Sequence, residues 1–195
     1  MIEVYVQNLD GTFFGLALNN QEIITTTFCK DQKTTLNYIL SNIPFEEPFE
    51  VLSEPTLHAK KVLKMLKDIY DGKDTTDNFN LATKHLPVYS KKVLKATLAI
   101  PTGYVTTYGA IAKAVGGGAR AVGNAMACNL FPIIVPCHRV VKSDLGLGGY
   151  GAGGLGIKLE FLMREKRGFT EPKDIHVEGG CLTVFPVEYV TNKYA

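Results

Sequence analysis

Cys137 stands between Pro136 and His138, with Arg139 next in line, in the stretch PIIVPCHRVV at 132–141. A thiol attacks as the thiolate, and neighbouring cationic or basic groups favour that form. The apolar run Ile133-Ile134-Val135 reads as a buried strand, and Pro136, which lacks an N–H, cannot continue a ladder. Cys137 is therefore expected where a strand is forced into a turn. The pattern fits a nucleophile; it also fits a small buried core residue, the usual role of a free cysteine in apolar surroundings. Lys158 and Glu165 lie seven positions apart in an expected helix, hence on one face and two turns from each other. The other cysteines, Cys29, Cys128 and Cys181, show no Cys-x-x-Cys spacing. A metal site would need scattered residues such as Cys29, His58 and His85 to converge.

The elements that must position these residues follow from periodicity. IEVYVQN alternates apolar and polar residues, GTFFGLALNN follows a turn at Asp10-Gly11, and QEIITTTFC is rich in β-branched residues; together they predict an antiparallel meander. PTLHAKKVLKMLKDIYDG has helical spacing at Leu57, Val62, Leu63, Leu66 and Ile69 and ends at Gly72. Residues 71–80 are polar and turn-rich, as a linker would be. After Pro87 the elements shorten. One helix is closed by Pro101, a second is capped by Thr106 or Thr107 and runs to Val115, and a third, GGGARAVGNAMACN, ends near Asn129. Two short helices joined by glycines suggest a helix-turn-helix. The third helix offers Ala119, Ala121 and Gly123 where a major-groove reader needs long polar side chains, and Arg120 alone stands out at its start. Such a smooth helix suits a sequence-independent approach to a minor groove; it also suits close helix–helix packing. Six glycines between 146 and 154 then leave the backbone free to approach a ligand, with Tyr150 as the only large side chain.

The 195 residues are 46% hydrophobic and 21% charged, the composition of an ordinary globular chain. No apolar run reaches the roughly 20 residues of a membrane helix, and the start has no basic segment followed by an apolar one, as a signal peptide would. These features predict an intracellular, cytoplasmic protein. The net charge of +2 conceals an asymmetry: 1–85 carry 8 Lys/Arg against 12 Asp/Glu, whereas 86–168 carry 11 against 3. A basic half points to a polyanionic partner, or to lysines that merely solvate a helical surface.

IPTGYVTTYGAIAKAVG, ARAVGNAMACN, PIIVPCHRVV, LGGYGAGGLGIK and LMREKRG follow one another as in the O6-alkylguanine-DNA alkyltransferases, and the chain resembles that family over about 86–168. The resemblance implies an N-terminal ribonuclease H-like α/β domain at 1–85 and a winged-helix, helix-turn-helix catalytic domain at 86–168. Residues 169–195, Cys181 among them, extend past the family pattern. It implies direct repair by a monomer without cofactor or metal. Double-stranded DNA is bound in the minor groove, the alkylated guanine is flipped out, and the alkyl group passes irreversibly to Cys137. By the same resemblance His138 acts as base through a water, Glu165 orients it, and Tyr108 helps rotate the nucleotide and bonds guanine N3. Arg120 fills the vacated stack beside Ala119, Ala121 and Gly123, and Lys158 assists the tyrosine or the thiolate. Asn129, Pro136 and Val140 shape the turn, and Tyr150 walls the base pocket. Two departures stand out. The GGGAR turn is short, and GAGGL is one residue longer than the family's loop, so Gly151 or Ala152 takes the place of its serine.

Three other readings predict other features. A lesion sensor of the same family would lack the cysteine, which is present. A cysteine hydrolase would need an oxyanion hole, for which no segment offers a pattern. A helix-turn-helix regulator would carry base-reading residues in the smooth helix.

Overall fold

A computed structural model describes residues 1–75 and 79–194. It is a mixed α/β structure of two four-stranded sheets and seven α-helices among the described residues. The chain divides into two compact units. The first holds 1–70, 74–85 and 130–134; the second holds 71–73, 86–129 and 135–195. Part of the expected linker, 76–78, lies outside the described residues.

In the first unit, β1 (Ile2–Leu9), β2 (Thr12–Asn19) and β3 (Glu22–Cys29) form the expected antiparallel meander. Asp10 (φ 53°) and Gly11 (φ 76°) make the tight turn between the first two strands, the positive-φ pair that two-residue hairpins favour. A short strand, β4 (Phe49–Val51), adds in parallel beside β1, giving the order β3-β2-β1-β4. Central β2 is buried on both faces. One face meets α1 (Gln32–Ser41), whose Ile39 clusters with Ile2, Val4, Ala17 and Ile24. A Cβ on Gly15 would come within 2.7 Å of Ile39, so only glycine lets this helix sit so close. The other face meets α2 (Leu57–Tyr70), whose Tyr70 ring packs edge-on against Phe14 at 5.4 Å. Helix α1 has no counterpart in the sequence reading: it buries only Thr35 and Ile39 and so shows almost no apolar period. Its start is set instead by Asp31, whose carboxylate accepts the Thr34 N–H at 2.6 Å.

The run 133–135 is not the expected strand. Ile133 and Ile134 form a turn, with Ile133 at φ 78°. The side chains of Ile133 and Val135 are buried as expected, but burial comes from a loop that returns to the first unit. There Leu130 O accepts the Thr26 N–H at 3.0 Å and Pro132 O accepts the Thr26 hydroxyl at 2.9 Å. A short apolar run reports burial, not conformation.

The second unit contains α3 (Val88–Leu98), β5 (Tyr104–Thr107), α4 (Tyr108–Val115) and α5 (Ala119–Ala127). Thr107, not Thr106, caps α4, accepting the Ala110 N–H at 3.1 Å; the Thr106 hydroxyl is spent on Thr183 O at 2.7 Å. Helices α4 and α5 are joined through Gly116 and Gly117, at φ 89° and 86°. The Tyr89 hydroxyl donates to Gly116 O at 3.1 Å, and a Cβ on Gly117 would lie 2.7 Å from that hydroxyl. After a 3₁₀ turn at Cys137–Arg139 come β6 (Val140–Val141), α6 (Gly154–Arg164), β7 (Lys173–Val177), β8 (Gly180–Pro186) and α7 (Glu188–Thr191). The described part of the extension set apart above, residues 169–194, is built into this unit. Strand β8 pairs with β5 in the order β6-β5-β8-β7. Val187 and Val190 join Val105, Val141 and Leu162 in the core. Among the described residues no group of three or more His, Cys, Asp or Glu side chains is placed to hold a metal ion. No described helix is long and apolar enough to cross a membrane.

Candidate active site

Pro136 places the cysteine. At φ −78° and ψ 64°, with the Cys137 N–H bonded to Val135 O at 2.7 Å, it is the centre of an inverse γ-turn. That turn feeds the 3₁₀ turn in which Arg139 N–H returns to Pro136 O at 2.9 Å. Asn129, at the end of α5, fixes the same corner. Its side-chain amide donates to Val135 O at 3.2 Å and to Cys137 Sγ at 3.5 Å.

The thiol faces a cavity of about 350 Å³ whose lining includes Tyr108, Gly123, Met126, Cys137, Lys142 and Tyr150. The glycine-rich loop supplies one wall through Gly148, Gly149 and Gly151. Gly151 lines the cavity and Ala152 does not. Val140 does not line it either: it is buried in β6, and its carbonyl accepts from Lys158 Nζ at 2.6 Å. Lys158 is fully buried, also donates to Gly149 O at 3.2 Å, and sits 6.0 Å from the Tyr108 ring. The Tyr108 hydroxyl donates weakly to Gly149 O at 3.5 Å. Arg120, Ala119 and Ala121 lie on the exposed side of α5, outside the cavity.

Behind the cysteine lies a buried polar cluster. His138 Nε2 is 2.8 Å from Glu165 Oε1, and its ring stacks on Phe161 with centroids 4.7 Å apart. His138 Nδ1 is buried without a protein partner. Glu165 is the residue that closes α6. Arg139 grips it from the other side, Nε to Oε2 at 2.9 Å and Nη2 to Oε1 at 2.8 Å. The same guanidinium donates to Ile100 O at 2.6 Å and Thr102 Oγ1 at 3.0 Å. Sequence reasoning missed Arg139. The residue sits inside the quoted motif, but its partner is 26 positions away.

Burial governs the titrations. It pushes the Cys137 thiol up, and the Asn129 amide and Lys158 ammonium only partly reverse this. The thiol is therefore not the depressed one that its basic sequence neighbours suggested; His138 turns its imidazole away, toward Glu165. Burial likewise lowers His138, outweighing the opposite pull of Glu165, so the imidazole rests neutral. Burial alone would raise Glu165, but His138 and Arg139 outweigh it and hold the carboxyl down at about 2. Burial brings Lys158 down to about 8, against the upward pull of Cys137. Tyr108 is raised, by burial first and by Cys137 second, so it remains a proton donor. A protonated thiol and a neutral phenol line one pocket, with a neutral imidazole buried behind the thiol, a set suited to nucleophilic displacement with proton transfer.

Residues 88–167 match the family described as 6-O-methylguanine DNA methyltransferase, DNA binding domain. A methylated-DNA–protein-cysteine methyltransferase of Methanothermobacter thermautotrophicus is 34% identical over 116 residues, 58% of this chain but 64% of the relative's length. One from Methanocaldococcus jannaschii is 32% identical over 162 residues, covering 81% of this chain and 90% of its own. Among solved structures, Mycobacterium tuberculosis OGT in complex with DNA superposes with a TM-score of 0.67 at 25% identity, over 84% of this chain and 92% of that one. With the Methanocaldococcus jannaschii relative 32% identical and matched over 90% of its length, the chain belongs to the methylated-DNA–protein-cysteine methyltransferase family.

Proposed function

We propose that the protein reverses O6-alkylguanine damage in double-stranded DNA by moving the alkyl group to Cys137 Sγ, once per molecule. The observation that carries this reading is the cavity itself: one thiol at its surface, held by Asn129, beside Tyr108 and Lys158 and in front of the His138–Glu165–Arg139 cluster. The Sγ–carbon bond forms as the carbon–O6 bond breaks, and the electron pair goes to guanine. The thiol proton leaves toward His138 Nδ1 through a water, because the other ring nitrogen is committed to Glu165. Guanine gains a proton in exchange, so charge balances. Tyr108, kept protonated by burial, donates to N3 as negative charge develops on the leaving base. Lys158 stabilises the thiolate electrostatically.

A base in a duplex is out of reach until it is flipped, which costs a few kcal/mol of stacking and pairing. Helix α5 suits that task. Its exposed face carries Ala119, Arg120, Ala121, Asn124 and Ala127, so the backbone can approach a minor groove closely. Arg120 is the side chain long enough to occupy the gap. The ribonuclease H-like description of the first unit is supported by its meander with a parallel edge strand and helices on both faces. The winged-helix description of the catalytic domain, 86–168, is supported by its α4–α5 pair, with the β7–β8 hairpin at 173–186 adding to it from beyond those bounds. The reading is of a monomer acting where the cell holds its DNA.

Intact-mass measurement after mixing with a duplex carrying one O6-methylguanine tests it. A single gain of about 14 Da, mapped to Cys137, is expected for one transferred methyl. Tight binding without a mass change would replace repair by lesion sensing.

A further inference from the structure

Arg139 does not line the cavity, yet it binds the carboxylate that holds His138. We propose that Arg139 is a positioning residue: by gripping both oxygens of Glu165 while anchored to Ile100 and Thr102, it supplies the carboxylate's counter-charge and leaves His138 free to act as a neutral base. The inference rests on the alkyl-transfer reading.

Four ionisable side chains are buried behind the thiol: His138, Lys158 and Glu165 at 0% relative exposure and Arg139 at 7%. Only Glu165 is anionic. Arg139 reaches it through two charge-assisted bonds in the fork geometry that guanidinium and carboxylate share. One buried anion paired with one buried cation is compensated. If His138 were also protonated, the site would hold two cations on one carboxylate, with the Lys158 ammonium near by. Burying that surplus is unfavourable. The groups facing His138 are Glu165, Arg139, Lys158 and the Phe161 ring; of these only Glu165 favours the imidazolium, and Arg139 has already neutralised it. The remaining His138–Glu165 bond then fixes the tautomer: Nε2 carries the proton to Oε1, and Nδ1 keeps its lone pair. Arg139 also explains how Glu165 keeps its place at the end of α6. Its two other donors tie that end to the segment leading into β5.

Removing the counter-charge should hand it to the histidine. In Arg139→Gln, the Glu165 anion has His138 as its nearest compensating group, and the ring becomes protonated near neutral pH. Two readouts follow. Imidazole nitrogen NMR of the intact wild-type protein at pH 7 should show His138 neutral with its proton on Nε2; a doubly protonated ring there overturns the proposal whatever any variant does. Single-turnover methyl transfer should then be followed across pH 6 to 8. Relative to wild type, Arg139→Gln should lose about a further tenfold at the acid end for each unit by which His138 has risen. Arg139→Lys, which keeps the charge, should restore most of the profile. The double variant Arg139→Gln/Glu165→Gln should return the ring to its neutral form. A merely structural role would lower stability and leave both the profile and the histidine titration of the folded protein unchanged, which would sink the proposal. Absence of methyl transfer in the wild type would instead strike the underlying function.

Discussion

The two units bury different kinds of polar group. In the first, the buried polar side chains are threonines: Thr12, Thr25, Thr26, Thr27 and Thr35. In the second, threonines are joined by Asn129, His138, Arg139, Lys158 and Glu165. A threonine hydroxyl needs one nearby carbonyl, as Thr26 finds in Pro132 and Thr35 in Asp31, and its burial is then nearly neutral. A buried charge needs an opposite charge in good geometry and still gains little stability. The first unit therefore buries what folding tolerates; the second accepts a costlier set, collected within reach of one thiol. The contrast separates the residues that hold the structure from those that the proposed chemistry uses.

The sharpest way to divide the two roles is Cys137→Ser. It should abolish transfer, more than about 10³-fold below wild type, with the protein still folded and still binding lesion duplex; residual transfer at another cysteine, seen by peptide mapping, would break the division. Next in size is Glu165→Ala, which leaves Arg139 buried without its carboxylate. Loss of about 3–5 kcal/mol is expected in urea unfolding. Glu165→Gln isolates the charge. Because folding holds Glu165 down at about 2 from the ordinary 4.5, the folded state binds fewer protons than the unfolded chain in that window. Its stabilising contribution is present above pH 4.5 and lost as pH falls toward 2. Stability of wild type should therefore decline over that range more steeply than that of Glu165→Gln. Arg120→Ala probes the exposed surface. Duplex affinity should weaken by about tenfold and the salt dependence should flatten by about one counterion, while alkylation by a free O6-alkylguanine base stays unchanged. The smallest effect belongs to the first unit. Thr26→Val removes the bond to Pro132 O and should cost about 1 kcal/mol, with transfer at saturating duplex unaltered. A large loss of transfer there would mean that the 130–134 loop is coupled to the corner that Asn129 and Pro136 build.

Local pattern was legible where one residue's neighbours decide its conformation. The alternation of IEVYVQN, the turn at Asp10-Gly11, the spacing of α2 and the cap before α4 all follow from side chains within a few positions. Helix α1 escaped because its apolar stripe is two residues wide, and β4 because a three-residue strand at a sheet edge leaves no period. The 133–135 run misled because buried strands and buried turns share the same composition. At the site, Cys137, His138, Tyr108, Asn129, Lys158 and Glu165 were all marked by motif and resemblance. The Arg139–Glu165 pair and the cavity wall formed by Met126, Lys142 and Gly148 were not.

What the sequence by itself determined is the inventory: a proline that must break the chain just before a cysteine, glycines that permit a tight link between two short helices and an open loop, and a single arginine on a helix rich in small residues. Each depends on local sterics, which act over a few bonds. Only the tertiary structure decided the protonation states. The thiol is raised, the imidazole is neutral and the carboxyl is held ionised because burial removes water from all three and Arg139 reaches across 26 positions to compensate one of them. Desolvation and Coulomb interactions act through space, and a linear sequence carries no distances.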